Sequence, residues 1–121
     1  MGLQESGENY LETILILKER NGEVRSIDIA NELGYTKPSI SKAVSLLKQN
    51  QYIQVDNSGQ ISLTAKGYEI ASSMYERHNL LVQYLIALGV SEDVACQDAC
   101  RIEHVISEET FEKIKAHSSR L

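Results

Sequence analysis

The spacing of apolar residues predicts a helix near the start of the chain. Over residues 8–20, with the sequence ENYLETILILKER, apolar side chains recur every three or four positions, which is the period of one helix face. The stripe consists of Tyr10, Leu11, Ile14, Leu15 and Leu17. Asn21–Gly22 then marks the end of the helix, because glycine and asparagine are common at that position.

Two short helices joined by a tight turn, a helix-turn-helix, are predicted next. Ser26 suits the N-cap of the first helix, and Gly34 suits the left-handed residue that ends it. Its apolar face carries Ile27, Ala30 and Leu33. The second helix begins at Lys37–Pro38, because proline fits the first turn of a helix. Its inner face carries Ile40, Val44 and Leu47, and its outer face Ser39, Lys42 and Ser45.

A β-hairpin is predicted directly after these helices. The stretch QYIQVDNSGQISLT contains two short apolar runs, at about 52–55 and 60–63, on either side of an Asp-Asn-Ser-Gly turn. A helix-turn-helix followed at once by a hairpin is the arrangement of a winged helix.

Helical periodicity returns after the hairpin. Thr64 suits the N-cap of a long helix that continues to Leu88, and Gly89 interrupts the pattern. Two further helices have serine caps, at Ser91 and Ser107. We therefore expect a mainly α protein, with an N-terminal winged helix-turn-helix domain at 1–70 and an all-helical dimerisation domain at 71–121. The stripe expected to form the dimer interface and the domain core comprises Leu80, Leu81, Tyr84, Leu85, Leu88, Ile102, Val105, Phe111 and Ile114; an intramolecular core alone is the alternative.

Composition excludes several classes of protein. The chain has 121 residues, of which 42% are hydrophobic and 24% charged, as in ordinary globular proteins. No apolar run reaches the roughly 20 residues that span a bilayer, and the N-terminus MGLQESGENY lacks a signal-peptide pattern. We therefore expect a cytoplasmic protein with no membrane partner.

Charge is distributed unevenly along the chain. A net charge of −5 argues against a nucleic-acid binder, because phosphates are neutralised by basic residues. Basic residues nevertheless outnumber acidic ones between Lys18 and Lys48, whereas acids dominate between Glu92 and Glu112. The basic segment coincides with the predicted helix-turn-helix, and bound divalent cations would offset part of the later acidity.

Candidate DNA-reading residues lie at the start of the second short helix, the end that enters the major groove in this class of motif. They are Thr36, Lys37, Pro38, Ser39, Ser41 and Lys42. Hydroxyls can bond base edges or phosphates, and a proline ring can contact a thymine methyl. Arg25 is placed to meet a phosphate, and Ser26 beside it completes the set. Because no arginine is aimed at a guanine, we expect a contribution from DNA shape; solvated helix caps are the alternative interpretation.

Potential metal ligands recur near the C-terminus. Cys96, Cys100, Glu103 and His104 fall at i, i+4, i+7 and i+8, which predicts a single helical face. Sulfur, oxygen and nitrogen donors together suit a first-row transition metal better than magnesium or calcium. The cysteines are poorly placed for a disulfide, and packed free thiols are the alternative. Asn9 and Glu12, on the first helix, can add oxygen ligands, and His78 can add an imidazole.

The sequence resembles the diphtheria toxin repressor family of iron- and manganese-dependent regulators. The matching stretches are ENYLETIL, RSIDIANELGYTKPSISKAV, GYEIASSMYERHNLLVQYLIALGV and DACRIEHVIS, which cover almost the whole chain. The resemblance implies a winged helix and a helical dimerisation domain, with two metal positions between them. It also implies a short form, similar to the manganese-regulator branch, without the SH3-like domain that some members add.

The ligand residues that the resemblance implies combine features of the iron branch and of the manganese branch of the family. Cys100, Glu103 and His104 match the primary-site ligands, with the cysteine typical of the iron branch, and His78 matches a shared histidine. Glu12 matches a carboxylate of the manganese branch, which has an aspartate at the position of Asn9. Iron-type members have an ancillary histidine at the position of Cys96 and a glutamate at that of Val82. We expect Fe(II) or Mn(II) as the cofactor, with zinc or cobalt able to bind in vitro.

The resulting hypothesis is a metal-dependent repressor that binds double-stranded operator DNA as a homodimer. Metal shared by Glu12 with Cys100, Glu103 and His104 would fix the distance between two recognition helices. The alternative is a winged-helix regulator that responds to a small molecule, or to thiol oxidation at Cys96 and Cys100. A metallohydrolase is not expected, because the sequence has no nucleophile elbow, phosphate loop or His-Glu-x-x-His motif. A purely structural helical dimer would leave the hairpin unexplained.

Overall fold

The computed structural model describes residues 5–120. Its elements are α1 (Glu5–Asn21), α2 (Ser26–Leu33), α3 (Lys37–Gln49), β1 (Ile53–Val55), β2 (Ile61–Leu63), α4 (Ala65–Ala87), α5 (Glu92–Ile102) and α6 (Glu108–Ser118). The chain divides into two units, and the boundary lies within α4, between Ser72 and Ser73. The predicted fold class, a mainly α protein with a winged helix-turn-helix followed by a helical domain, is confirmed.

The core of the first unit is built around α1, which contacts α2 and β2. Of its predicted stripe, Leu11, Ile14, Leu15 and Leu17 are buried, and Tyr10 is half-buried. The other helices and the hairpin add Val24, Ile29, Ile40, Leu47, Ile53 and Ile61. Each fully buried aliphatic side chain contributes about 1.5–3 kcal/mol, so this cluster stabilises the packing of the three helices against the hairpin.

The start of α2 differs from the prediction in two respects. The N-cap position is Arg25, with extended backbone, and Ser26 is the first helical residue. The carboxylate of Asp28 accepts a hydrogen bond from the Arg25 N–H at 2.9 Å, which is the acidic half of a capping box. Ile29, not Ile27, faces the core: their exposed fractions are 1% and 43%. An eight-residue helix has only two turns, so its apolar pattern leaves the inner face ambiguous.

The turn between α2 and α3 follows the prediction. Gly34 is left-handed (φ 72°) and its N–H donates to the Ala30 carbonyl at 2.8 Å. Thr36 caps α3, because its Oγ1 accepts from the Ser39 N–H at 3.4 Å. The buried residues of α3 include Ile40 and Leu47. The outer side of α3 is therefore available to solvent from its first turn onward.

The hairpin is antiparallel, with Ile53 opposite Leu63 and Val55 opposite Ile61. Each strand is one residue shorter than predicted, because Tyr52 lies before β1 and Gln60 belongs to the turn. Asp56 Oδ1 accepts from the N–H and hydroxyl of Ser58 and from the Gln60 N–H, at 2.8–2.9 Å. These bonds organise the turn that the sequence Asp-Asn-Ser-Gly predicts.

A glycine places the start of α4 against the root of the hairpin. A Cβ on Gly67 would overlap the Tyr52 carbonyl oxygen, so no larger residue fits here without a backbone shift. Thr64 Oγ1 accepts from the Gly67 N–H at 3.1 Å and donates to the Gln51 carbonyl at 2.7 Å. Thr64 therefore caps α4, as predicted, and also links it to the chain before β1.

The second unit contains the rest of α4 together with α5 and α6. Leu81, Ala95, Ala99 and Phe111 are at most 2% exposed and form its core. Ser107 caps α6 by accepting from the Thr110 N–H at 3.1 Å, whereas Ser91 occupies the N-cap of α5 without a side-chain bond. No helix within residues 5–120 combines the length and the apolar character needed to cross a membrane.

Candidate metal centre and nucleic-acid interface

Two of the predicted ligands lie in the turn between α5 and α6. The Glu103 N–H still donates to Ala99 at 3.0 Å, but the N–H groups of Val105 and Ile106 both bond the Ile102 carbonyl. Helix α5 therefore ends at Ile102, and Glu103 is its C-cap. The prediction that Cys96, Cys100, Glu103 and His104 share one helical face is wrong for its last two members. Periodicity alone did not reveal that the helix stops before them.

The turn brings a carboxylate together with two imidazoles inside the second unit. Glu103 Oε1 lies 3.5 Å from His78 Nδ1 and 3.7 Å from His104 Nε2. The side chains of Glu103 and His104 are 1% and 2% exposed, and that of His78 is 27% exposed. Thus α4 and the α5–α6 turn each supply part of one buried polar cluster, which we call the Glu103 cluster (His78, Glu103 and His104).

The Glu103 cluster fits a divalent metal ion. Within the described part of the chain, the buried Glu103 Oε2 has no hydrogen-bond donor. A buried charge is costly unless it is paired or coordinates a metal. Imidazole suits iron and zinc, and carboxylate suits manganese, so this set of donors is appropriate to a first-row divalent ion.

The two cysteines occupy the outer side of α5. Cys96 and Cys100 are exposed and not joined in a disulfide, whereas the inner side of the helix carries the fully buried Ala95 and Ala99. The prediction that the two cysteines do not form a disulfide with each other is confirmed, whereas the alternative of packed thiols is wrong, because both are exposed. Metal ligation by either thiol stays a prediction.

In the first unit, the predicted oxygen ligands lie on α1. Glu12 is buried, at 5% exposure, among the apolar side chains of this helix. Asn9 is half-buried one turn earlier, and its backbone carbonyl accepts from the Thr13 hydroxyl at 2.8 Å. A buried carboxylate requires a hydrogen-bond partner or a cation, and the ligand role of Glu12 stays a prediction.

The start of α3 is a continuous exposed polar surface, which we call the α3 start. All six residues predicted to read DNA there are exposed: Thr36, Lys37, Pro38, Ser39, Ser41 and Lys42. The first turn of α3 contains no acid. A shallow groove of about 240 Å³ beside it is lined by Ser26, Ile27, Lys37, Ile40 and Ser41. Hydroxyl, ammonium and methyl groups are thus displayed together, as base and phosphate contacts require.

Arg25 makes contacts that the sequence did not predict. Its Nε donates to the Ser58 carbonyl in the hairpin turn, and its Nη1 to the Glu23 carboxylate, both at 3.3 Å. Its side chain remains 40% exposed. Arg25 therefore fastens the wing to the chain ahead of α2, and its contact with a phosphate stays a prediction.

Sequence reasoning missed Arg77. This residue on α4 is buried, and Nη1 donates to the carbonyls of Glu103 and Ile106, at both ends of the α5–α6 turn. One signal was available: Met74, Arg77 and Leu81 have the spacing of a single buried stripe, and all three are buried. A charged residue in such a stripe indicates a specific buried partner.

Comparison with protein families matches both halves of the chain. Residues 2–60 match the N-terminal DNA-binding domain of the iron-dependent repressors. Residues 64–120 match the metal-binding and dimerisation domain of the same repressors. The two matches contain the α3 start and the Glu103 cluster, respectively.

Individual relatives agree with this division. The chain is 33% identical over 113 residues to the transcriptional regulator MntR of Escherichia coli, which covers 93% of this chain and 73% of the relative. It is 37% identical over 109 residues to the HTH-type transcriptional regulator MntR of Geobacillus kaustophilus, with 90% and 77% covered. A solved manganese-dependent transcriptional repressor in complex with manganese superposes with a TM-score of 0.85 at 25% identity over 93% of this chain. The chain spans about half of that protein, 52% of its length.

Proposed function

We propose a function from the family to which the chain belongs, the diphtheria toxin repressor family, whose members are metal-dependent transcriptional regulators and not enzymes. The protein represses transcription by binding operator DNA as a homodimer, and it does so when a divalent metal is bound. The observation that carries the proposal is the buried carboxylate of Glu103 between two imidazoles. A protein that acts on operator DNA works in the compartment that holds the DNA, so we place it in the cytoplasm.

Glu103 and His104 are the ligands that we propose from the second unit, with His78 completing the cluster. Cys100 is a further candidate, as the family resemblance implies. Glu12 is the ligand that we propose from α1. Asn9 and Cys96 are candidates for an ancillary position. A bound divalent ion supplies positive charge against these carboxylates and directional bonds to their oxygens and ring nitrogens.

The proposed switch couples the two units through their ligands. Glu12 belongs to the DNA-binding domain and Glu103 to the dimerisation domain, so ligation of one ion by both residues would restrict movement between the domains. Dimeric regulators of this kind read half-sites about 34 Å apart. Restricting the movement therefore favours simultaneous binding of both half-sites, and a coupling of about 1–3 kcal/mol gives a useful response.

DNA binding is assigned to the α3 start. We propose that Lys37 and Lys42 contact phosphates, and that the hydroxyls of Thr36 and Ser39 bond phosphates or base edges. Since the whole chain carries a net charge of −5, binding depends on this local surface and on neutralisation of acids by bound metal.

Manganese(II) is the operating ion that we propose, with iron(II) as the alternative. Oxygen donors suit manganese, whereas thiolates favour softer ions. The Glu103 cluster supplies only oxygen and nitrogen, and both cysteines are exposed. The solved relative is itself described as manganese-dependent. Zinc and cobalt are expected to bind in vitro.

Homodimer formation is supported by apolar residues that the second unit leaves uncovered. In the stripe expected to form the dimer and domain core, Leu81 and Phe111 are buried within the unit, whereas Leu88 and Val105 are 60% and 71% exposed. The matched family domain is described as a metal-binding and dimerisation domain, so we propose that these uncovered side chains contribute to the contact between subunits.

Metal-titrated DNA binding tests the proposal. Duplexes are selected from a random pool with manganese present, and affinity is then compared without metal and with manganese, cobalt, zinc or anaerobic iron(II). We expect manganese to tighten binding by about 5–150-fold, the range of ordinary allosteric coupling. A DNA affinity that stays the same with and without metal but changes with peroxide would instead support thiol sensing through Cys96 and Cys100.

A further inference from the structure

Arg77 is a buried arginine whose hydrogen bonds all end at the α5–α6 turn or the beginning of α6. It is 8% exposed. Nη1 donates to the carbonyls of Glu103 and Ile106, at 3.1 and 3.0 Å, and Nη2 donates to Glu108 Oε2 at 2.9 Å. The guanidinium carbon also lies 5.2 Å from the centre of the Phe111 ring. Arginine is rarely buried without such a set of partners.

The two carbonyls define the ends of the turn. The last carbonyls of a helix have no partner within the helix, and a cation near them also interacts favourably with the helix dipole. Since one nitrogen bonds both Glu103 and Ile106, it limits the distance between the first residue of the turn and the residue that precedes the Ser107 cap of α6. His104 lies between these two residues, so its backbone position is limited as well.

Helix α4 consequently contacts both the backbone and the side chain of Glu103. Arg77 binds its backbone carbonyl, and the adjacent His78 lies against its carboxylate, at 3.5 Å. A rotation that moved the carboxylate away from the cluster would disturb one of these contacts. The helix and the turn are thus fixed to each other at the residue that carries the proposed ligand.

The ion pair with Glu108 is the weaker part of the arrangement. The Glu108 side chain is 72% exposed, and ion pairs that reach the solvent contribute little to stability. The bonds to the two carbonyls depend instead on the planar fork of the guanidinium, which lysine cannot reproduce.

We propose that Arg77 is a positioning residue for the metal centre: it holds the α5–α6 turn in the shape in which Glu103 and His104 bind the ion. This inference rests on the proposed function, because it requires both residues to be ligands. Groups that orient metal ligands from behind typically change metal affinity by about 10–100-fold when they are removed.

Cobalt(II) binding to the full-length chain tests the inference. The variant Arg77→Met keeps most of the side-chain volume and loses every hydrogen bond, and Arg77→Lys keeps the charge without the fork. We expect Arg77→Met to bind cobalt about 10–100-fold more weakly, with Arg77→Lys between it and the wild type. We also expect the visible spectrum of the fully loaded variants to change, because it reports coordination geometry.

The matched control is Glu76→Gln. It breaks the 2.9 Å ion pair between Glu76 and Lys115, which also joins α4 to α6 but does not touch the turn. We expect wild-type cobalt affinity and spectrum in this variant, while urea unfolding of each metal-free protein records its stability.

Two results would overturn the inference while leaving the proposed function intact. One is wild-type affinity in Arg77→Met. The other is weaker binding with an unchanged spectrum, since a merely structural arginine would lower stability without altering coordination. If Arg77→Met does not fold, Arg77→Lys is read by the same criteria. Failure of the wild-type chain to bind cobalt or manganese would overturn the proposed function and the inference together.

Discussion

The α3 start and the Glu103 cluster are built in opposite ways. The α3 start takes its six residues, five of them polar, from a segment of seven, 36–42, and leaves all of them exposed. The Glu103 cluster takes its side chains from α4 and from a turn well separated from it in sequence, and buries its carboxylate to 1% exposure. One site is displayed by a single helix end, and the other exists only when separate elements are packed together.

The electrostatics of the α3 start and of the Glu103 cluster differ because the first is exposed and the second is buried. Charges at the α3 start are surrounded by water and salt, so each contact there is weak and screened. Within the Glu103 cluster, water is excluded and polar interactions are stronger, but an unpaired group is also more costly. Substitutions are therefore expected to have larger effects at the Glu103 cluster than at the α3 start.

Loss of one imidazole should have the largest effect. We expect His104→Ala to bind manganese at least about 100-fold more weakly, since even groups behind metal ligands are worth 10–100-fold. Manganese should then no longer tighten operator binding, while the dimer stays intact. Isothermal titration with manganese, DNA-binding titration and sedimentation measure the three properties.

His117→Ala is the matched control for this substitution. His117 lies on α6 in the same unit, where its Nδ1 and the Tyr84 hydroxyl are 2.9 Å apart on the surface. We expect its removal to leave manganese affinity within about two-fold, well below the effect of removing a group that orients a ligand. Unchanged manganese binding in His104→Ala, or an equal loss in both variants, would contradict the ligand role of His104.

The α3 start could be predicted from sequence because its determinants are local. Gly34 ends α2, Thr36 caps α3 and Pro38 fits the first turn, and each of these signals lies within a few residues of the structure it sets. The hairpin was predictable for the same reason, since the Asp56 turn is closed by bonds to residues two and four positions away.

The Glu103 cluster could be predicted only in part. Its residue types indicated metal binding, but the end of α5 at Ile102 depends on how the turn packs. The role of Arg77 depends on carbonyls 26 and 29 positions away, and helical spacing carries no information on such contacts. In the first unit too, the N-cap of α2 is Arg25 and Ile27 is exposed. Both features depend on how α2 packs, and the capping preferences and apolar pattern of the sequence did not predict them.

Removal of one exposed lysine should have a smaller effect. We expect Lys42→Ala to weaken operator binding about five-fold, on the order of 1 kcal/mol for an exposed charge contact. The loss should be the same at every manganese concentration, and manganese affinity should not change. The slope of log affinity against log salt concentration should become shallower by about 0.9, the value for one phosphate contact.

Lys48→Ala is the matched control for the α3 start. Lys48 is exposed in the last turn of the same helix. Its removal therefore changes the net charge of the protein by the same amount as Lys42→Ala, but at the opposite end of α3. We expect little change in affinity or salt slope. Equal losses in both lysine variants would mean that net charge, and not the α3 start, governs DNA binding.

The smallest effect on operator binding is expected for a substitution of Asp56, whose hydrogen bonds organise the exposed hairpin turn of the first unit. The hydroxyl of Ser58, followed by the backbone N–H of Gln60, lowers the pKa of Asp56 below its ordinary value. Because the folded pKa is the lower one, the stabilisation of the wing is complete above the unfolded value, about 3.9, and is lost as pH falls through the folded pKa. We expect amide exchange at Ser58 and Gln60, relative to its intrinsic rate, to accelerate over that acidic range in the wild type and to lose this pH dependence in Asp56→Asn. At neutral pH, Asp56→Asn should affect operator affinity less than Lys42→Ala; a carboxyl that titrates at or above the ordinary value would contradict the role given to these bonds.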